Sequence, residues 1–368
     1  MPGARVLALK LAGGTLFLLV VLAGVVAFIL MGGSGAPAFP GALSPAPEAA
    51  LAPGSPGALR QAQDSAWDSR AVHAPSVVRL PTIPGESSTG QAGTDRGYFL
   101  WYDGADSVDP YSGWAIGLAT SQDGLRWERR PENPVLSPGP PGSWDGASVH
   151  DPRVVWDGRR FLMWYSGYDG ARWRIGLASS DDGVRWAKHP GNPVLEPGPP
   201  GSWDGASVAY SSVVVQDGGY RMWYQGGDSA GVWRIGYATS QDGVHWRKSD
   251  RNPVLSPGPE SAWDAGRVFT PHVLPWGVGY LMLYTGGPGA GIGYAFSTDV
   301  VSWRKAPKNP ALRAPQGVQA RLLSQASLRP DGQVLTVTAL LEGEKLVVWY
   351  AEHTGGQWTI RRAEAVVR

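Results

Sequence analysis

Asp151 stands in His150-Asp151-Pro152-Arg153, and a second histidine holds the corresponding place of an earlier segment, His73-Ala74-Pro75. A carboxylate beside imidazoles suits proton transfer or the binding of hydroxyl groups, since His and Asp serve commonly as acids and bases. The recurrence of histidine at matching places favours a structural role for His73 and His150 over a catalytic one. Three further carboxylates, Asp103, Asp106 and Asp109, crowd the segment YDGADSVDPYSGW at 102 to 114, and Asp169 and Asp228 occupy matching turns later on. These are candidate proton donors, although aspartate also favours turns by accepting backbone N–H groups. Cysteine is absent from the 368 residues, which excludes disulfides, thiolate nucleophiles and thiolate metal sites. With 32 Lys+Arg against 31 Asp+Glu the formal charge is +1, which argues against a nucleic-acid partner.

The elements that position these residues are legible as a repeat. SWDGASVHDPRVVWDG, SWDGASVAYSSVVVQDG and AWDAGRVFTPHVLPWG place Trp144, Trp203 and Trp263 59 and 60 residues apart, and an earlier copy holds Trp67. Each copy continues with Trp-Tyr at Trp101, Trp164, Trp223 and Trp349, with Leu283-Tyr284 as a variant. A third signature, IGLA or IGYA, starts at Ile116, Ile175, Ile235 and Ile292, and a fourth runs from Asp123, Asp182, Asp242 and Asp299. Four short β-rich runs per repeat, divided by Gly, Asp and Pro turns, predict an all-β fold: a five-bladed β-propeller of four-stranded antiparallel blades. The aspartates of the fourth signature are expected in the turn before each fourth strand. The fifth copy has no fourth-strand signature, so an N-terminal strand, with residues 55 to 66 as the candidate, is expected to close the ring.

Residues 11–31, LAGGTLFLLVVLAGVVAFILM, carry no charge. As a helix they reach roughly 31 Å, enough for one transmembrane crossing. Arg5 and Lys10 precede this run and the next basic residue is Arg60. That asymmetry puts residues 1–10 in the cytoplasm and the remainder outside the cell membrane. The alternative is a secreted chain, cleaved near Ala36 and Ala38, but a signal core is normally only about 7–15 residues long. Residues 32–62, rich in Gly, Ala, Pro and Ser, read as a spacer, and 63–368 as the folded body.

The stretch WYSGYDGARWRIGLASSDDGVRWAKHPGNPVLEPGPPGSWDGASV resembles the five-bladed propellers of glycoside hydrolase families 43, 32, 68 and 130. The likeness covers about residues 66 to 362, and SQDGLRW is similar, at a lower rank, to the Asp-box turn of sialidases. The resemblance implies an oligo- or polysaccharide substrate met at the starts of the innermost strands. Those positions read Ala74, Asp151, Tyr210, Thr270 and Gln325. Hydrolysis usually takes two carboxyl groups about 5–9.5 Å apart. Asp151 matches the Asp-Pro motif of families 43 and 32, and HDPR is similar to the EDPR of family 130 with His150 in place of Glu. Where family 43 carries its base and its acid, this chain has Ala74 and Tyr210, so the implied catalytic set is degenerate. Asp151 remains, with Asp106 and Asp109 as substitute acids from the hairpin. His73, His150, Tyr210, Thr270, His272, Gln325, Trp144 and Trp203 are the implied sugar contacts, Trp through stacking on sugar faces. Recurrence of the tryptophans favours packing between strands. No cofactor is expected, apart from a cation in the central channel near His272. Two classes stay open: a membrane-tethered glycan-active enzyme, and a noncatalytic glycan- or protein-binding propeller or structural subunit of a membrane assembly.

Overall fold

Each repeat folds into an antiparallel meander because its apolar runs are short, rich in β-branched and aromatic residues, and punctuated by glycine turns. The computed structural model describes residues 44–51, 67–80, 97–106, 109, 111–287, 290–314, 333–354 and 357–366. The expected anchor at 11–31 and the candidate closing segment at 55 to 66 lie outside the described residues. Among those described there is no helix, and none long and apolar enough to cross a membrane.

The first meander is β2 (Ala71–Leu80), β3 (Gly97–Ala105), β4 (Ala115–Ser121) and β5 (Glu128–Arg129), preceded in sequence by β1 (Ser44–Leu51). The second is β6 (Ser148–Trp156), β7 (Phe161–Tyr168), β8 (Trp173–Ser180) and β9 (Ala187–Lys188). The third is β10 (Ser207–Gln216), β11 (Gly219–Gly227), β12 (Trp233–Ser240) and β13 (Arg247–Lys248). The fourth is β14 (Val268–Trp276), β15 (Gly279–Gly286), β16 (Gly291–Ser297) and β17 (Arg304–Lys305), with β18 (Leu312–Arg313) also on β16. The last is β19 (Gln333–Glu342), β20 (Lys345–Thr354) and β21 (Gln357–Val366). Its outer edge pairs antiparallel with β1, so the closing strand is 44–51, inside the stretch that composition assigns to the spacer. The last and first meanders share one parallel β-bridge, Ala71 to Trp358, and Ala74 N donates to Thr336 Oγ1 between them. The innermost strands neighbour one another in the cyclic order β2, β6, β10, β14, β19 and back to β2.

Inside each of the first four meanders one polar unit recurs. Asp68, Asp145, Asp204 and Asp264 are buried beside Arg129, Lys188, Lys248 and Lys305 at 2.5–2.6 Å. Each also accepts the hydroxyl of Tyr102, Tyr165, Tyr224 or Tyr284 at 2.9–3.3 Å. Burial, with the neighbouring aspartate, pushes all four phenols far above their ordinary range, so they stay protonated and donate. Trp67, Trp144, Trp203 and Trp263 lie against the same tyrosine rings at 5.4–5.8 Å. Room for those indoles comes from glycine: a Cβ on Gly176 would fall 2.5 Å from Trp144 Cη2.

Neighbouring meanders are tied by a second recurring contact. The indole N–H of Trp101 donates to Gly183 O at 2.9 Å, Trp164 to Gly243 O at 3.0 Å, Trp223 to Val300 O at 3.2 Å and Trp349 to Gly124 O at 3.2 Å. Each acceptor sits in the turn before the next meander's fourth strand. Within that turn the aspartate accepts backbone N–H groups, as Asp182 does from Val184 and Arg185. The variant Leu283 occupies the one Trp position whose neighbour, the fifth copy, lacks this turn in its sequence.

Candidate functional site

The inner strands all break register near their starts, between His73 and Ser76, His150 and Arg153, Ala209 and Ser211, Phe269 and His272, and Leu335 and Val337. The residues thrown out of the ladder adopt the left-handed region: Ala74 (φ 46°), Asp151 (54°), Tyr210 (46°), Thr270 (51°) and Thr336 (41°). Proline follows in three copies, Pro75, Pro152 and Pro271, where a missing N–H costs no ladder bond. Such conformations cost about 1–3 kcal/mol each and persist only where the surroundings impose them. The five bulges line a single depression together with Arg153, Ser211 and Val337. Gln325, the expected fifth member, lies outside the described residues, and Thr336 fills that role. The fifth copy lacks the Trp-Asp lead-in (Trp67-Asp68, Trp144-Asp145, Trp203-Asp204, Trp263-Asp264) by which the other bulges align.

Asp151 is the one carboxylate on this lining, and it is buried. Next to it lies a closed cluster. His73 on β2 is register partner to Asp103 on β3. Asp103 is fully buried, and its Oδ2 lies 2.7 Å from His150 Nδ1 and 3.6 Å from His73 Nδ1. Burial alone would raise the Asp103 carboxyl, but the charge and hydrogen bonds of His73 and His150 overcome this and hold it well below the usual carboxylate range. One ligand atom from each of His73, Asp103 and Asp151 falls within 4.8 Å of the others. Asp103 was a hairpin candidate by sequence. Its sharper signal was the series Tyr102-Asp103-Gly104, Tyr165-Ser166-Gly167, Tyr224-Gln225-Gly226 and Tyr284-Thr285-Gly286, in which one copy alone is ionisable. In two of the other copies this position serves the next bulge: Ser166 accepts from Tyr210 N at 3.0 Å and Gln225 from Thr270 N at 3.2 Å, whereas Thr285 bonds Thr270 of its own meander.

An aromatic wall surrounds the histidines. Trp114 lies 4.8 Å from His150 between ring centres, Trp173 5.0 Å from His150 and Trp358 4.8 Å from His73. Tyr168 stacks on Trp173 at 4.6 Å, and Tyr111 extends this surface while 44% exposed. The tryptophan two residues before Ile116, Ile175 and Ile235 was the overlooked sequence signal for this wall.

The remaining candidates fall elsewhere. Asp106 is exposed on the first hairpin, and Asp109 there accepts Tyr111 N at 2.9 Å. Asp169 and Asp228 cap their own hairpins and pair with Arg174 and Arg234 at 2.7 and 2.8 Å. Trp144 and Trp203 pack inside their meanders rather than on the depression. His272 sits one layer below the bulges and is enclosed. Arg153 Nη1 donates to His272 Nδ1 at 2.8 Å, and the opposite ring nitrogen lies 3.0 Å from Ala339 O. Arg153, which sequence reading did not single out beyond its motif, also donates to Ser211 O, Thr338 Oγ1 and Val337 O. Burial pushes its guanidinium down to about 10, against the opposing charge of Asp151. A cation beside His272 would thus meet a ring already engaged at both nitrogens and a guanidinium in contact with it.

Residues 96–198 match the family model for glycoside hydrolase family 130, described as beta-1,4-mannooligosaccharide phosphorylase. An uncharacterized protein of Mycobacterium tuberculosis is 31% identical over 194 residues, 48% of this chain and 61% of the relative, so the chain spans less than two thirds of that relative's length. An A type blood N-acetyl-alpha-D-galactosamine deacetylase of Flavonifractor plautii is 28% identical over 175 residues, 38% of this chain and 23% of that protein. Among solved structures, a family 130 glycoside hydrolase described as targeting beta-1,2 mannosidic linkages in Candida mannan superposes with a TM-score of 0.62 at 19% identity, covering 89% of this chain and 94% of that one. By fold and by the match over residues 96–198, the chain is related to the β-propeller glycosidases.

Proposed function

We propose that this protein is a five-bladed β-propeller that recognises a carbohydrate at its central depression and is held outside the cell by a membrane anchor at residues 11–31. The carrying observation is the convergence of five strained bulges on one depression whose lining holds a single carboxylate, Asp151. The cyclic order of the inner strands supports five blades, with β1 completing the fifth. Relatives that act on mannosides and on an amino sugar support a sugar ligand more strongly than any one reaction.

In this reading Asp151 and the bulge residues Tyr210, Thr270 and Thr336 orient sugar hydroxyls, and the aromatic wall offers apolar faces for a ring to stack on. Turnover by two carboxylates would need a second group on the lining. Asp103 is engaged by two histidines, so in this reading the proton would come from Asp106 or Asp109 of the first hairpin, which lie off the lining in this structure. A second reading, glycan binding without turnover, is favoured by the uncharged residues at the other four bulges. Phosphorolysis asks less of the protein, because phosphate itself supplies the nucleophile.

The test is calorimetric binding and product release with mannosides, furanosides, xylans and fructans, with and without phosphate, using wild type and Asp151→Asn. Release that the variant abolishes supports an enzyme. Binding without release, lost in the variant, supports the second reading. A folded wild type that neither binds nor cleaves any of them would refute both.

A further inference from the structure

We propose that His73, Asp103 and Asp151 form a binding site for a divalent first-row transition metal, of which Zn2+ is the probe, at the side of the depression. The three residues are 2%, 0% and 6% exposed, and one donor atom from each lies within 4.8 Å of the others. Donors about 2.0–2.2 Å from one ion sit roughly 3–4 Å apart, so a small closure of the cluster suffices. The backbone already holds these donors near that geometry. His73 and Asp103 face each other across one ladder step, and the left-handed bulge presents Asp151 beside them.

Charge points the same way. Two buried carboxylates this close repel each other unless a cation lies between or beside them. The basic groups facing the pair are Arg153, which acts on Asp151 while donating to Ser211, His272 and the fifth meander, and the two histidines. Asp103 Oδ1 is buried without a hydrogen-bond partner among the described residues. A carboxylate oxygen in that state is costly, and an ion would complete it. Asp103 Oδ2, by contrast, is oriented by His150 Nδ1 at 2.7 Å, the kind of outer partner that fixes a ligating carboxylate.

One imidazole and two carboxylates suit Zn2+ or its first-row neighbours, and three protein ligands leave coordination positions open. Because Asp151 lines the depression, those positions face the place where the sugar is proposed to bind, and water or sugar hydroxyls would fill them. This placement of water or sugar on the open positions rests on the proposed function. Ion binding itself is measured with no sugar present, so the two ideas fail separately.

The experiment is a Zn2+ titration of the full-length chain, purified without a polyhistidine tag and stripped with chelator, against a chromophoric competitor. One ion per folded chain is expected. Asp103→Asn and His73→Ala should weaken binding by about 100-fold or more, and His150→Ala by about 10–100-fold. His245→Ala, which removes an exposed surface His–Asp pair, should leave binding unchanged. Should the buried variants fail to fold, wild type alone still decides: Zn2+ should raise its melting temperature, and Co2+ should give visible d–d bands at one equivalent. Absence of stoichiometric binding to folded wild type, or His73→Ala binding as tightly as wild type, would overturn the site.

Discussion

Arg153 and His272 fix each other's proton state, and this has a measurable consequence. A guanidinium only donates, so His272 Nδ1 accepts and Nε2 carries the proton toward Ala339 O. Burial, then the Arg153 charge, holds this imidazole well below its ordinary value of 6.5. In the unfolded chain it protonates near that value, so below it the unfolded state binds more protons than the native one. The contribution is complete above pH 6.5 and is lost as pH falls toward the lower native value, with a slope of at most about 1.4 kcal/mol per pH unit. Urea unfolding of wild type should show falling stability from pH 7 to 5. His272→Gln should remove part of that slope, because its carbonyl can accept from Arg153 and its amide donate to Ala339 without titrating. An unchanged slope would show that His272 does not titrate in this range. Sequence alone reached His73, His150 and Asp151 through their motifs, yet it could not join them. Asp103 meets His150 across 47 residues of chain, between different repeats, and nothing in one repeat specifies its contacts with the next.

Between elements, the indole-to-turn contact makes the strands of one blade depend on the turn of the next. Trp164→Phe keeps most of the buried apolar area but leaves Gly243 O with one indole donor, Trp246 Nε1 at 3.0 Å, instead of two. Loss of one of the two hydrogen bonds to that carbonyl costs about 0.5–1.5 kcal/mol, to be read as a lower urea midpoint. Leu283→Trp should not gain what the other tryptophans have. Leu283 is fully buried, and extra volume in a packed core costs about 1–3 kcal/mol. Stabilisation by that substitution would show that a turn acceptor does face position 283. Both halves of this pairing stood in the sequence, as the Leu variant in copy four and the missing turn in copy five, and only the cyclic arrangement connects them. The four complete copies declared their strands because each inner face needs apolar residues at alternate positions. β1, SPAPEAAL, declared nothing: it adds to an edge through backbone hydrogen bonds, which composition does not reveal, and its Pro45 is of a kind that edge strands tolerate.

Across the whole molecule, closure depends on two devices, one at the axis and one at the rim. Arg153 joins β6 to β10, β14 and β19 through four hydrogen bonds. Arg153→Met should lower stability by roughly 3 kcal/mol or more, since carbonyls of Ser211 and Val337 and the His272 ring lose a charged donor together. At the rim, β1 covers the outer edge of β21 from Ser44 opposite Glu364 to Leu51 opposite Ile360. A chain starting at residue 62, the natural choice if 32–62 were only a spacer, removes β1 and bares that edge. A chain starting at residue 39 keeps it. An uncovered strand edge invites pairing with other molecules. The shorter chain should therefore melt lower, by about 2–4 °C for each kcal/mol lost, and should associate as concentration rises. Light scattering and thermal melts of the two chains, taken side by side, decide the matter. Equal melting temperatures with both chains monomeric would mean that β1 contributes nothing to closing the ring, and that the Ala71–Trp358 bridge and the Ala74–Thr336 and Trp349–Gly124 hydrogen bonds hold the first and last meanders together without it.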